Sequence, residues 1–239
     1  MYPTTSQNGA DGVPNHLDAA SAHLRTGLRP DGTYPGVSEW ETCEHQWRLL
    51  ETWTANAELI LPDDFNHDRI GGREHDVRFD TVSARWFKFT KPASAGYVVD
   101  VIDGRLVMTN ASPLQYLERW RVHNYLFNDD VRLVGLKKVS PGINRIVISQ
   151  ADVIGEPATW EQLEDTFVRK AGMCRIPYDY PLGGYESCAY FKGRICIFDV
   201  RPGNCLVTKK NEVFAIDVIP RFFSRTDANA IERLLNLKR

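Results

Sequence analysis

The stretch from Ile195 to Val218, ICIFDVRPGNCLVTKKNEVFAIDV, constrains this chain more than any other. Three short apolar runs, Ile195–Phe198, Cys205–Val207 and Val213–Ile216, are rich in Ile, Val and Phe. They are broken by Pro-Gly and by Lys-Lys-Asn-Glu, which reads as buried strands joined by turns. The first run leads into Asp199 and the third into Asp217, and the second follows Asn204. The sheet would therefore deliver Asp199, Asn204 and Asp217 to strand ends and to one tight turn, Val200-Arg201-Pro202-Gly203. Three oxygen-bearing side chains converging there suit a hard cation such as Mg²⁺, which is usually held by one or two carboxylates together with substrate phosphates. Asp and Asn also favour turns on their own account, so a hairpin-rich sheet with polar turns is the alternative.

With 239 residues the chain can bury a substantial core, in one large domain or two lobes. A net charge of −2 and a pI near 6.3 argue against a general nucleic-acid binder. No apolar run approaches the roughly 18 residues of a membrane span. The N-terminus lacks a basic segment followed by an apolar one, so no signal peptide is expected. The five cysteines, at 43, 174, 188, 196 and 205, contain no C-x-x-C pair. Scattered and odd in number, they suggest reduced thiols and a cytoplasmic location, with Cys196 and Cys205 as core residues.

Along the chain, residues 1–37 are rich in Gly, Pro, Ser, Thr, Asn and Asp and read as an irregular arm, with room for a short helix near Leu17–Arg25. Ser38 and Glu41 form a capping-box pattern ahead of a helix to about Glu58, whose Trp40, Cys43, Trp47 and Leu50 recur at helical spacing. Phe65–Ile70 is a weak strand, and Gly71-Gly72 sits ahead of strands at Asp76–Asp80 and Ala84–Thr90. Glycines there either admit phosphates to backbone N–H groups or make an ordinary turn. Lys88 lies in an aromatic strand, as a snorkelling edge residue or as a phosphate-gripping one. Asp103-Gly104 predicts a two-residue hairpin turn between Tyr97–Ile102 and Leu106–Thr109. Ser112-Pro113 predicts a helix start; on that helix Glu118 is either a solvated partner of Arg121 or a functional carboxylate. Strands are expected at Val131–Leu136 and Arg145–Ser149, a helix at Thr159–Ala171, a hairpin around Lys192-Gly193, and a final helix at about Asp227–Leu237. The Tyr-, Pro- and Gly-rich segment 178–185 reads as a surface loop or a lid over the acceptor side.

Asp199-x-x-x-x-Asn204 followed by a strand-end Asp217 has the spacing of the kinase catalytic loop and its metal-binding aspartate. Aminoglycoside phosphotransferases have a similar D-x-x-P-G-N run. Taken with GGREHDVRFD, RWFKFT and SPLQYLERWRVHNYLF, the chain resembles the protein-kinase-like superfamily over about residues 40–222. More narrowly, it resembles the kinase-like domains in polyvalent proteins of phages and conjugative elements. The resemblance implies an α+β, bilobal kinase-like fold: an irregular arm at 1–37, an N-lobe with a preceding helix at 38–149, and a reduced C-lobe at 150–239. It implies an ATP- and Mg²⁺-dependent phosphotransferase acting on a protein or small-molecule hydroxyl. Gly71, Gly72 and Lys88 would contact phosphates, Glu118 would pair with Lys88, and Ser149-Gln150-Ala151 would be the adenine-binding hinge. Asp199 would accept the proton of the acceptor hydroxyl with Arg201 beside the transferred phosphate, and Asn204 and Asp217 would hold Mg²⁺. The pattern departs from kinases in carrying Ile197-Phe198 where His-Arg is usual, and Asp217-Val218-Ile219 in place of D-F-G. A nucleotide- or partner-binding module without transfer is therefore the alternative, and nucleotidyl transfer from the same site is a third reading.

Overall fold

The computed structural model describes residues 15–29, 32–177 and 186–236. The fold is mixed α+β, with five α-helices and several antiparallel sheets among the described residues. The described residues form two compact units, one from 15–29, 32–97 and 110–152 and the other from 98–109, 153–177 and 186–236. Segment 178–185, including the expected lid, lies outside the described residues.

The first unit is built on a four-stranded antiparallel sheet in the order β1 (His75–Asp80), β2 (Arg85–Thr90), β6 (Ile143–Ala151), β5 (Arg132–Ser140). Alternation divides its side chains cleanly. One face carries His75, Val77, Lys88, Thr90, Ile146, Ile148 and Leu133, in cross-strand register. Helix α3 (Pro113–Phe127) covers it through fully buried Tyr116 and Trp120. The helix starts where the sequence indicates: Ser112 accepts from Gln115 N, Gln115 returns a bond to Ser112 N, and Pro113 occupies the first turn. The opposite face carries Asp76, Phe87, Phe89, Val147, Arg145 and Lys137, partly roofed by Phe65 and His67. Residues 65–70 do not form the expected strand; they contribute a single bridge, Arg69 to Val77. Edge strand β5 is extended by residues 59–61, which exchange bonds with Leu136. A side chain at Gly135 would collide with the Leu59 carbonyl, so only glycine fits there.

The stretch read as an irregular arm contains helix α1 (His16–Arg25), whose Leu17, Ala20 and Leu24 are buried. Its apolar positions repeat at three and four residues, enough for an amphipathic helix despite the polar composition around it. It packs on α3 and β5, beside α2 (Glu39–Asn56). Two ion pairs fix it to α3, Asp18 with Arg121 and Arg25 with Glu118.

The second unit contains a four-stranded antiparallel sheet in the order β13 (Ile219–Phe222), β10 (Ile195–Val200), β9 (Cys188–Lys192), β8 (Cys174–Ile176). A smaller sheet joins β12 (Val213–Ala215), β11 (Cys205–Val207) and β7 (Glu156–Pro157). The hairpin of β3 (Tyr97–Ile102) and β4 (Arg105–Asn110) turns at Asp103 and Gly104, both with positive φ, as the Asp-Gly signal requires. Asp100 of this hairpin pairs with Arg221 of β13 at 2.6 Å. The helix expected at 159–171 is capped by Thr159 as read, but only Trp160–Glu164 (α4) is α-helical. Residues Asp165–Lys170 widen into a π-helical turn. Phe167 from that turn stacks on Tyr190 of β9, ring centroids 5.0 Å apart. Helix α5 (Arg225–Asn236) closes the described chain. None of the five cysteines is in a disulfide. Cys196 and Cys205 are buried, and burial together with the nearby Asp199 carboxylate pushes the Cys205 thiol up to about 12. No helix among the described residues is long and apolar enough to cross a membrane.

Candidate functional site

The turn at Asp199 is built by a break in a strand. β10 pairs regularly with β9 from Ile195 to Ile197, then slips in register before Val200 meets Cys188. Asp199 falls in that slip with φ +54°, a left-handed conformation uncommon outside glycine but tolerated by Asp and Asn. A bulge of this kind re-aims a side chain out of the sheet's alternation, and bulges concentrate next to active sites. After it, Pro202–Asn204 forms one 3₁₀ turn, with Asn204 N donating to the Arg201 carbonyl at 2.9 Å.

Asn204 organises the turn. Its side chain is buried, and its Nδ2 donates both to the Asp199 backbone carbonyl and to Asp199 Oδ2, each at 2.8 Å. Its own carbonyl accepts from Ile216 N at 2.8 Å and from Asp217 N at 3.4 Å. One residue therefore ties together the two aspartates that the sequence places at strand ends. Arg201 Nε lies 3.5 Å from Asp199 Oδ1, with both side chains partly exposed. With both N–H groups spent on Asp199, the Asn204 amide keeps Oδ1 as a hard oxygen donor. The oxygens of Asp199, Asn204 and Asp217 are the kind that hold Mg²⁺.

In the first unit, Lys88 is on the α3 face of the sheet. Its Nζ stands over the Trp120 ring, 5.0 Å from the centroid, and its charge acts on the Asp129 carboxylate. Asp129 accepts from Gln150 Nε2 at 2.6 Å and lies 3.4 Å from His123 Nδ1. Burial raises its pKa above the ordinary carboxylate value.

The Glu118 carboxylate is engaged by Arg25 of α1, at 2.7 Å to Nε and 2.5 Å to Nη2. The reason is helical phase. Trp120, two positions on, faces the sheet, and two residues of α-helix rotate a side chain by about 200°. Glu118 therefore points to the α1 side of α3, where Arg25 engages it.

Of the two glycines, Gly71 is fixed by packing: a side chain there would collide with the His75 carbonyl, and its N–H donates to Asp76 Oδ1 at 3.2 Å. Gly72 has open space around it. In the expected hinge, Ser149 is paired with both β2 and β5, and Arg85 donates to its hydroxyl at 3.0 Å. Gln150 and Ala151 pair with β2 beyond the point where β5 begins.

The sequence reading missed the ion pairs that anchor this unit. Glu74 accepts from Arg119 Nη1 at 2.5 Å and from Tyr97 N at 2.9 Å, in a setting where the Arg119 side chain is 1% exposed. Asp76 is buried and takes Lys91 at 2.5 Å and Arg145 at 2.8 Å. Charged residues alternating with aromatics in GGREHDVRFD and YLERWRV were the only available signal, and nothing in spacing pairs Glu74 with Arg119.

Comparison of the chain with protein-family models, with curated proteins and with solved structures returned no match. The site therefore rests on its own geometry.

Proposed function

We propose that the chain is an ATP- and Mg²⁺-dependent phosphotransferase of kinase-like fold, transferring the γ-phosphoryl group to a hydroxyl of a protein or small molecule. The observation that carries this reading is the Asp199 turn: an aspartate in a left-handed bulge, clamped through side chain and backbone by a buried Asn204 whose carbonyl tethers Asp217. A plain hairpin turn needs no buried asparagine bonded to the carboxylate of the bulge residue.

In this reading Asp199 orients the acceptor hydroxyl and takes its proton, and Arg201 faces the transferred phosphoryl oxygens. Asn204 and Asp217 hold the cation, which when bound neutralises phosphate charge. Lys88 serves the nucleotide phosphates, and Gln150-Ala151 is the stretch of the expected hinge that bears adenine. Glu118, engaged by Arg25, is given a structural role in this reading. Phosphoryl transfer asks for positioning and charge neutralisation more than covalent chemistry, and a turn held by its own hydrogen bonds is preorganised for both.

The test is transfer from γ-labelled ATP with Mg²⁺ to a panel of protein and metabolite acceptors, against Asp199→Asn and Asp217→Ala. The reading requires Asp199→Asn to bind nucleotide and lose turnover, and Asp217→Ala to lose metal-dependent nucleotide binding. Label appearing from the α- rather than the γ-phosphate would instead indicate nucleotidyl transfer. A binding module without transfer is favoured by Ile197-Phe198 preceding Asp199, and metal-dependent nucleotide binding without turnover on any acceptor would establish it.

A further inference from the structure

The sheet face opposite Lys88 carries a pocket of about 430 Å³ whose chemistry the proposed reaction does not use. Its lining brings together Lys137, Lys138, Arg145 and His67 with the exposed apolar side chain of Val139. Lys137 and Arg145 are directly opposed across β5 and β6. Like charges in that position repel and destabilise a sheet unless something offsets them.

Two of the four basic groups, Arg145 and Lys138, are offset by carboxylates within the unit, and His67 accepts from Arg145. Arg145 donates to Asp76 at 2.8 Å and to His67 Nδ1 at 3.4 Å, and Lys138 pairs with Glu51 at 2.9 Å. Lys137 is different. Its side chain is only 9% exposed, yet Nζ donates to one neutral acceptor, the Pro62 carbonyl at 2.8 Å. The nearest carboxylate, Asp63 at 3.8 Å, is fully exposed and so screened by water. A lysine buried to this degree is normally paired. An ammonium has three donors, so Lys137 keeps donor capacity at the wall of a pocket sized for a small ligand.

We propose that this pocket binds the phosphoryl group of a small phosphomonoester, with Lys137 and Arg145 as its principal contacts and Val139 beside the ligand's body. A dianion beside Lys137 completes its donors by charge-assisted hydrogen bonds and reaches Arg145, which Asp76 engages from the other side. Asp63 opposes an anion, but it stands at the exposed rim and is free to turn into solvent. The site is independent of the Asp199 turn, so the two proposals stand or fall separately.

The probes are inorganic phosphate and phenyl phosphate, titrated at constant ionic strength against chloride and followed by backbone amide NMR shifts and melting temperature. The Asp217→Ala background keeps phosphate binding at a nucleotide site out of the measurement. The expected result is saturable shifts centred on residues 137–139 and 145, tighter binding of phenyl phosphate than of phosphate, and affinity weakened roughly tenfold or more by Lys137→Met. Phosphate shifts no greater than those of chloride would overturn the proposal, as would shifts centred elsewhere or an unaffected Lys137→Met protein. Should Lys137→Met fail to fold, the wild-type shift map alone decides by the same criteria.

Discussion

The two units use charge in opposite ways. In the first, carboxylates are driven into the interior and neutralised there by cations from distant parts of the chain: Glu74 by Arg119, Asp76 by Lys91 and Arg145, Glu118 by Arg25. In the second, Asp199 and Arg201 meet at a partly exposed turn, and their geometry comes from a neighbouring amide within the same turn. A buried pair fixes a scaffold, because removing either partner strands a charge away from water. A solvent-accessible carboxylate held by its own turn keeps a lone pair for an incoming group. The first unit spends its charges on holding α1, α3 and the sheet together, and the second keeps its charges where a ligand reaches them.

The contrast predicts that mutations in the turn act on chemistry and mutations of the buried pairs act on stability. Asp199→Asn preserves the Asn204 bond to the backbone carbonyl and should leave the melting temperature nearly unchanged, while lowering transfer by roughly 10²–10⁴-fold, the usual contribution of a general base. An inactive wild type, or a mutant as active as the parent, would sink the chemical half of the comparison. Arg119→Met leaves Glu74 buried without its cation, and urea unfolding should show a loss of about 3–5 kcal/mol. A loss below about 1 kcal/mol would mean that solvent already screens the pair.

Asn204 belongs to both categories. Asn204→Ala removes two hydrogen bonds to Asp199, one of them to a carboxylate, at a buried position. The expected cost is about 1–3 kcal/mol in unfolding free energy, together with weakened Mg²⁺-dependent nucleotide binding. Loss of stability with binding intact would make Asn204 a structural residue only. Glu118→Gln sharpens the opposite side. It weakens a pair whose Arg25 partner is about one third exposed, so the cost is about 1 kcal/mol, and turnover should be unchanged. A large drop in turnover would return Glu118 to the catalytic set.

How much of this was legible depended on whether geometry was local. Asp199 and Asn204 are five residues apart, so a turn with Pro-Gly inside it leaves few ways to arrange them, and both side chains meet where the spacing puts them. The capping boxes at Ser112 and Thr159 and the Asp103-Gly104 turn are local in the same sense, and all three form. Glu118 depended on something the chain does not spell out, the rotation of α3 about its axis. Buried Tyr116, Leu117 and Trp120 set that phase, and they turn Glu118 toward α1. Helix α1 was legible at Leu17–Arg25 within an otherwise irregular arm, because Leu17, Ala20 and Leu24 keep helical spacing although Gly, Pro and Asn surround them. The π turn at Asp165–Lys170 has no sequence signature; Phe167 from that turn stacks on Tyr190.

The smallest expected effect separates two aspartates within the first unit. Burial alone raises the pKa of Asp76, but the bonds from Lys91, Arg145 and Gly71 N outweigh it and hold the carboxyl below its ordinary value. Asp129 is raised, because its burial outweighs the bonds from Gln150 and Asp130 N. The signs for stability are opposite. Asp76 stabilises the fold above the unfolded-state carboxyl pKa, near 4, and that contribution is lost as pH falls through its lower folded value. Asp129 binds its proton more tightly in the folded state, so it favours folding below the unfolded pKa and costs stability as pH rises through its higher folded value. Asp76→Asn should therefore destabilise at neutral pH and Asp129→Asn should stabilise slightly, and both differences should shrink toward acid. Melting temperatures of the two variants and the parent between about pH 3 and 8 measure this. Parallel curves for Asp129→Asn and the parent would show that Gln150 and the Asp130 amide already offset its burial.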